Sequence, residues 1–135
     1  DVYKRQIIAR LESLIAKQGV EDAIDRAQAY IEAGADAIMI HSCEPEVDEI
    51  RDFCQAYETL VDKVPLVAVP TTYNHVYEAD LVRMGFKVVI YANHLLRSAY
   101  PAMKQTAESI LRYGRSKEAD ESCTAVQEIL GLIED

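Results

Sequence analysis

Positive charge is scarce in this sequence: 14 Lys and Arg stand against 23 Asp and Glu, for a formal net charge of -9. Nucleic acid and anionic membrane surfaces are therefore excluded as partners, because both need basic surface to neutralise phosphate. A small anionic substrate is still compatible with this balance if a few cations are concentrated locally. Long apolar runs are missing too. The longest span only a handful of residues, where crossing a bilayer takes roughly 20, and no charged-then-apolar leader opens the chain. No membrane association is expected, and the location expected is cytoplasmic. There is no cysteine framework either, since Cys43, Cys54 and Cys123 are too far apart for a CxxC pair and odd in number. All three read as reduced, packed thiols. The histidines, His41, His75 and His94, have no i, i+4 partner and make no zinc motif.

What is there is the composition of one globular unit: 135 residues, 50% hydrophobic and 27% charged, with no linker-like stretch. The chain opens on Asp1, and residues 1–6 are polar without a helix-start signal. These six residues are expected to be a non-native junction or a loop tail, with the natural N-terminus upstream. Residues 7–135 are expected to form the folded part.

Four short apolar runs rich in β-branched residues recur: Ile7-Ile8-Ala9, Ala37-Ile38-Met39-Ile40, Leu66-Val67-Ala68-Val69 and Val88-Val89-Ile90-Tyr91. Runs of this kind indicate strands buried on both faces. Helical stripes lie between them: Ala23, Ile24, Ala27 and Ile31, then Val47, Ile50, Cys54 and Tyr57, then a shorter pair, Leu81 and Met84. Strand-to-strand spacing of about 22 to 30 residues suits a strand, a crossover helix and two short loops. The fold expected is therefore α/β, built from βα units with parallel strands. Gly34 and Gly85 stand where helices should stop before the next strand.

After the fourth run comes a longer helical stripe, Leu96, Ala99, Tyr100, Met103, Ala107 and Ile110, which Pro101 is expected to bend or restart. A charged loop over residues 114–121 leads to a last helix. Thr124 with Gln127 reads as its capping box, and Val126, Ile129, Leu130 and Ile133 as its apolar stripe. One barrel wall rarely needs two helices, so this extra C-terminal helix is expected either on another subunit or across its own barrel floor. A full (β/α)₈ barrel takes roughly 250 residues, so four units make about half of one. The competing fold, a small doubly wound domain, lacks its signature, because no glycine-rich phosphate loop follows any strand.

Each apolar run leads into polar groups: Arg10 and Glu12, then His41 and Ser42, then Thr71, Thr72 and Tyr73, then Asn93 and His94. Ligands of parallel α/β folds bind at the C-terminal ends of the strands, so these groups are expected to share one site. Taken singly, an arginine after a strand reads as a structural ion-pair residue, here with Glu12, as readily as a ligand-binding one. Asn93 reads as a helix N-cap or a cavity-lining group. His94 reads as structural, His75 as an exposed loop residue, and Glu12 as either an orienter of Arg10 or a solvated surface group.

Four segments carry a resemblance: Ile8-Ala9-Arg10-Leu11-Glu12-Ser13, Ala33-Gly34-Ala35-Asp36-Ala37-Ile38-Met39-Ile40-His41-Ser42, Val69-Pro70-Thr71-Thr72-Tyr73 and Val89-Ile90-Tyr91-Ala92-Asn93-His94-Leu95-Leu96-Arg97. From Ile7 onward the chain resembles the C-terminal half of the TIM barrel of the phosphoenolpyruvate mutase family, in the isocitrate lyase superfamily. The alanine-arginine strand end is shared across that superfamily. The isoleucine-histidine-serine and asparagine-histidine segments are specific to the mutase branch and its relative, phosphonopyruvate hydrolase.

The resemblance implies a small-molecule reaction in which phosphoenolpyruvate and phosphonopyruvate interconvert, a phosphoryl group moving from the enol oxygen to carbon 3. It also implies magnesium (Mg2+), with the metal-binding carboxylates, catalytic aspartate and gating loop all in the half that precedes these residues. Arg10 and His41 fall on the arginine and histidine that hold the migrating phosphoryl group, and are the expected catalytic and substrate-binding residues; no metal ligand is expected here. A homo-oligomer with C-terminal helix exchange is implied as well. Phosphonopyruvate hydrolase is the alternative reaction, and a superfamily carbon-carbon lyase comes third, because lyases usually show threonine-aspartate where this chain has Leu11-Glu12. An inactive half barrel with only an association role is the non-enzyme alternative. One departure stands out: Cys43-Glu44-Pro45 follows the histidine-serine pair, where the family commonly has a basic residue.

Overall fold

The computed structural model describes residues 5–132. They fall into two compact units, one through Ala92 and one from Asn93. In the first, strands β1 (Ile8–Leu11), β2 (Ala37–Ile40), β3 (Leu66–Ala68) and β4 (Phe86–Val89) alternate with helices α1 (Gly19–Glu32), α2 (Asp48–Tyr57) and α3 (Glu78–Arg83). All three strand pairings are parallel and the order is β1-β2-β3-β4, the same in space as along the chain. Sequential order excludes the doubly wound alternative, whose strand order reverses at a switch point.

Register decides which side chains share a face, because partners in a parallel ladder lie side by side. Leu11 pairs with Ile40 and Ile38 with Leu66, and all four are buried. With Ala23 and Ala27 of α1, Ile50, Phe53, Cys54 and Tyr57 of α2, and Leu81 of α3, they form one core between sheet and helices. Tyr57 locks the layer to the chain that follows: its hydroxyl donates to the Val64 carbonyl at 2.9 Å and accepts from the Val64 N–H at 3.1 Å. The opposite face carries Arg10, Met39, Val67 and Val88 in register. Along that side Ile8 and Val88 remain 45% exposed, as on an inward barrel wall with no facing strands.

Two strands sit differently from the sequence expectation. β1 runs one residue later and includes Arg10 and Leu11, while β4 starts at Phe86, two residues ahead of the apolar run. Pairing, not hydropathy, sets these limits: Leu66 pairs with Phe86, and Lys87 is an outward, exposed residue that breaks the apolar pattern inside the strand. Gly34 (φ 97) and Gly85 (φ 102) do end α1 and α3 in the left-handed conformation that glycine adopts without penalty.

The second unit contains α4 (His94–Tyr113), a 3₁₀ turn (Asp120–Ser122) and α5 (Val126–Leu130). α4 runs uninterrupted through Pro101, so the proline does not restart it. The expected capping box is absent. α5 begins one residue later, its first turn closing on the Ala125 carbonyl with the N–H groups of Glu128 and Ile129, which leaves Thr124 ahead of the N-cap. Ile133 lies outside the described residues. Neither helix buries a side chain. Among the described residues, no helix is long and apolar enough to cross a membrane.

Lys17, in the turn between β1 and α1, is the one non-glycine residue among those described with a positive φ, 57°. A left-handed residue with a Cβ costs about 1–2 kcal/mol, and glycine escapes that cost. Lys17→Gly is therefore expected to be about 1 kcal/mol more stable than Lys17→Ala, the reverse of the usual helical ranking. Urea unfolding of the two variants measures the difference, and an equal or lower midpoint for glycine would remove the strain from Lys17.

Candidate active site

The C-terminal ends of β1 and β2 bring the two expected residues to one face. Arg10 is the penultimate residue of β1 and pairs with Met39. Leu11 pairs with Ile40 at the ends of the two strands, so Glu12 and His41 are the next residues along neighbouring strand ends, and the charges of Arg10 and Glu12 both act on the His41 ring. The Arg10 Nε–H donates to the Glu12 carboxylate in an ion pair with both side chains about half exposed, at 50% and 51%. That contact uses one edge of the guanidinium and leaves the Nη fork for another acceptor.

His41 is half-buried, and its Nδ1 is buried without a hydrogen-bond partner. Burial lowers its pKa from the ordinary histidine value, and the Arg10 charge lowers it further, while Glu12 acts in the opposite direction. Both charged neighbours thus reach the imidazole electrostatically. The result is a neutral ring at pH 7, with two cation-capable groups beside one carboxylate.

Behind His41, Ser42 is fully buried. Its hydroxyl donates to the Glu49 carboxylate and accepts from the Glu44 N–H at 3.0 Å, and its carbonyl accepts from the Thr72 hydroxyl at 3.0 Å. Lys17 closes an ion pair with Glu44, which raises the lysine pKa. Three strand-end loops are thereby tied around His41. Composition and periodicity carried no signal for Lys17, because its role depends on a left-handed turn at a residue that does not favour one.

A cavity of about 350 Å³ is lined by Arg10, Glu12, Ser13, Gln18, Arg26 and Tyr30, and His41 is not among its lining residues. The larger groove, about 550 Å³ between α2 and α3, contains neither Arg10 nor His41. His75 lines that groove as an exposed loop residue, as expected. Tyr73 is fully buried, and burial pushes its phenol up to about 12, so it is no acid or base near neutrality. Cys54 is buried, with its thiol likewise pushed up to about 12, whereas Cys43 and Cys123 are exposed, unlike the packed thiols expected. Asn93 stands at the N-cap position of α4 but makes no side-chain capping bond, which corrects the simple cap reading. His94 is the first residue of that helix.

Among the described residues, no group of three or more His, Cys, Asp or Glu is arranged to hold a metal ion. Glu12, whose charge acts on His41, is already engaged by Arg10. The described residues thus do not by themselves make a magnesium site.

The family model for phosphoenolpyruvate phosphomutase matches residues 2–111. The chain belongs to this family. Among its curated members and relatives, phosphonopyruvate hydrolase of a Variovorax species is 44% identical over 93% of this chain and 43% of its own length. The phosphoenolpyruvate phosphomutase of Tetrahymena pyriformis is 35% identical over 94% of this chain and 41% of its own. Among solved structures, a phosphonopyruvate hydrolase in complex with oxalate and Mg++ superposes with a TM-score of 0.81 at 44% identity, covering 94% of this chain and 44% of the other. A phosphoenolpyruvate phosphomutase from Streptomyces platensis subsp. rosaceus gives 0.83 at 38% identity, covering 94% and 43%. This member of the phosphomutase family therefore spans less than half the length of the relatives it matches, and its four-stranded parallel sheet is part of their barrel-like fold.

Proposed function

We propose that this chain supplies the phosphoryl-gripping wall of a phosphoenolpyruvate mutase. What supports the reading is that Arg10 and His41 stand at the C-terminal ends of the paired strands β1 and β2, near enough for the Arg10 charge to act on the imidazole. In the reaction, the enol oxygen–phosphorus bond of phosphoenolpyruvate breaks and a bond from phosphorus to carbon 3 forms. The enol oxygen becomes the ketone of phosphonopyruvate, so atoms and charge balance without a co-reactant. Charge in such a transfer spreads over three equatorial oxygens, and catalysis is mainly placement and electrostatic stabilisation. Arg10 offers permanently charged donors in a fixed plane, and His41 one directional N–H. Magnesium belongs to the proposal on family grounds, with its ligands and the catalytic aspartate in segments that relatives carry outside this span.

A hydrolase is the second reading, favoured by the 44% identity to phosphonopyruvate hydrolase. The same two residues would hold the phosphonate while water breaks the carbon–phosphorus bond, yielding pyruvate and phosphate. The exposed apolar residues of the second unit, Leu95, Leu96, Met103 and Leu130 among them, support a homo-oligomer in which C-terminal helices are exchanged. The proposal is completed by a cytoplasmic location and a small-molecule substrate, which the acidic charge balance supports.

Incubating a full-length enzyme with phosphonopyruvate and magnesium, followed by phosphorus NMR, tests the reading. Phosphoenolpyruvate without free phosphate is the expected product. Phosphate with pyruvate would establish the hydrolase instead, and no conversion of either substrate would sink both. The 135-residue chain alone is expected to show no turnover, since Arg10 and His41 bind charge but supply no metal site.

A further inference from the structure

Glu12 plays no part in the phosphoryl grip itself, yet it is paired with Arg10 and its charge acts on His41. We propose that Glu12 is a positioning residue of this site: its carboxylate holds Nε of Arg10, and so fixes which guanidinium N–H groups meet the phosphoryl oxygens beside His41. The inference deepens the reading above and rests on it.

The geometry is set by the backbone. Glu12 is the residue after β1, and its neighbour Leu11 pairs with Ile40, the residue before His41; its carboxylate is held by Arg10, with which it lines one cavity. An exposed arginine carries several rotatable bonds, and an ordinary surface ion pair restrains them only weakly. Here the contact is made through Nε, the one donor that lies on the side of the guanidinium opposite part of the fork. Occupying Nε leaves the paired Nη donors for a bidentate anion, the arrangement in which arginine recognises phosphate best.

The same carboxylate is also the counter-charge to the environment of His41. Arg10 and burial disfavour the imidazolium, and Glu12 favours it. Arg10 and Glu12, both from β1 and its end, are the charged groups acting on the ring; from the β3 side the neighbouring groups, Thr71 and Thr72, carry no charge. Removing the Glu12 charge therefore has a defined sign. The His41 titration should move further down, and the ring should become harder to protonate when a phosphonate dianion arrives.

The test compares Glu12→Gln, Glu12→Asp and Glu12→Ala in the full-length enzyme. Gln keeps an acceptor for Nε without the charge, whereas Ala keeps neither. Expected is a graded loss of kcat/KM for phosphonopyruvate, a few-fold for Gln and Asp and more than tenfold for Ala, carried mainly by kcat. The His41 proton NMR titration, assigned against His41→Asn, should shift downward in both Gln and Ala, which a purely structural role would not produce. Equal kcat/KM across the series with an unmoved His41 titration would overturn the proposal, and so would a loss in Gln as large as in Ala. Should the parent enzyme convert neither substrate, the reaction assignment fails on its own. The titration shift, together with weaker binding of inorganic phosphate by Glu12→Ala, then still decides the role of Glu12.

Discussion

Replacing Arg10 by Ala in the full-length enzyme is expected to lower turnover of phosphonopyruvate by more than tenfold. Hydrogen bonds to charged groups contribute about 1.5–3 kcal/mol, and each 1.36 kcal/mol of barrier is a factor of ten, which sets a range of about 10- to 150-fold. The loss should be larger in kcat than in KM if the fork acts mainly on the charge that develops as phosphorus transfers. Arg10→Lys should recover little, because an ammonium keeps the charge but loses the planar pair of donors and the Nε contact to Glu12. Steady-state kinetics on both variants checks this, and an unchanged rate for Arg10→Ala would remove Arg10 from the site.

The second large effect belongs to the core. Phe53 is fully buried, its ring stacked on Tyr57 with centroids 5.6 Å apart, and it lies in the cluster that joins α2 to the sheet through Ile38, Ile40 and Leu66. Phe53→Ala should cost about 3–5 kcal/mol, since the transfer energy of the ring and the cavity left behind both count. Whole domains are stable by only about 5–15 kcal/mol, and this sheet covers one face alone, so the variant should be largely unfolded or have a sharply lowered urea midpoint. Tyr77→Ala, at a residue 78% exposed, should stay within about 0.5 kcal/mol of the parent chain. Equal midpoints for these two variants would mean that the helix–sheet layer is not what holds the unit together.

Much of the fold could be read from the residues because its physics is local. Gly34 and Gly85 stop helices by a property of glycine itself, and the run Ala37-Ile38-Met39-Ile40 coincides with β2, whose Ile38 and Ile40 bury fully against the helices. The misplacements were decided by hydrogen bonding. β4 begins at Phe86 because β3 offers its ladder there, and Thr124 fails as a cap because the last helix closes one residue later. Neither choice is written in hydropathy or in a capping pattern: the first depends on a ladder partner about twenty residues away, the second on which of two adjacent carbonyls the first turn closes.

The candidate site divides in the same way. By itself, the order of residues determined that Arg10 and His41 stand at the ends of apolar, strand-forming runs, and the motifs around them determined the family. Their chemistry was legible because guanidinium and imidazole donors are properties of the side chains. Only the tertiary structure decided that Leu11 lies against Ile40, which turns Glu12 toward His41, and that Lys17 reaches Glu44 across two loops. Register is a relation between distant segments: a slip of one residue would send every one of these side chains to the other face, and nothing within a single strand specifies it.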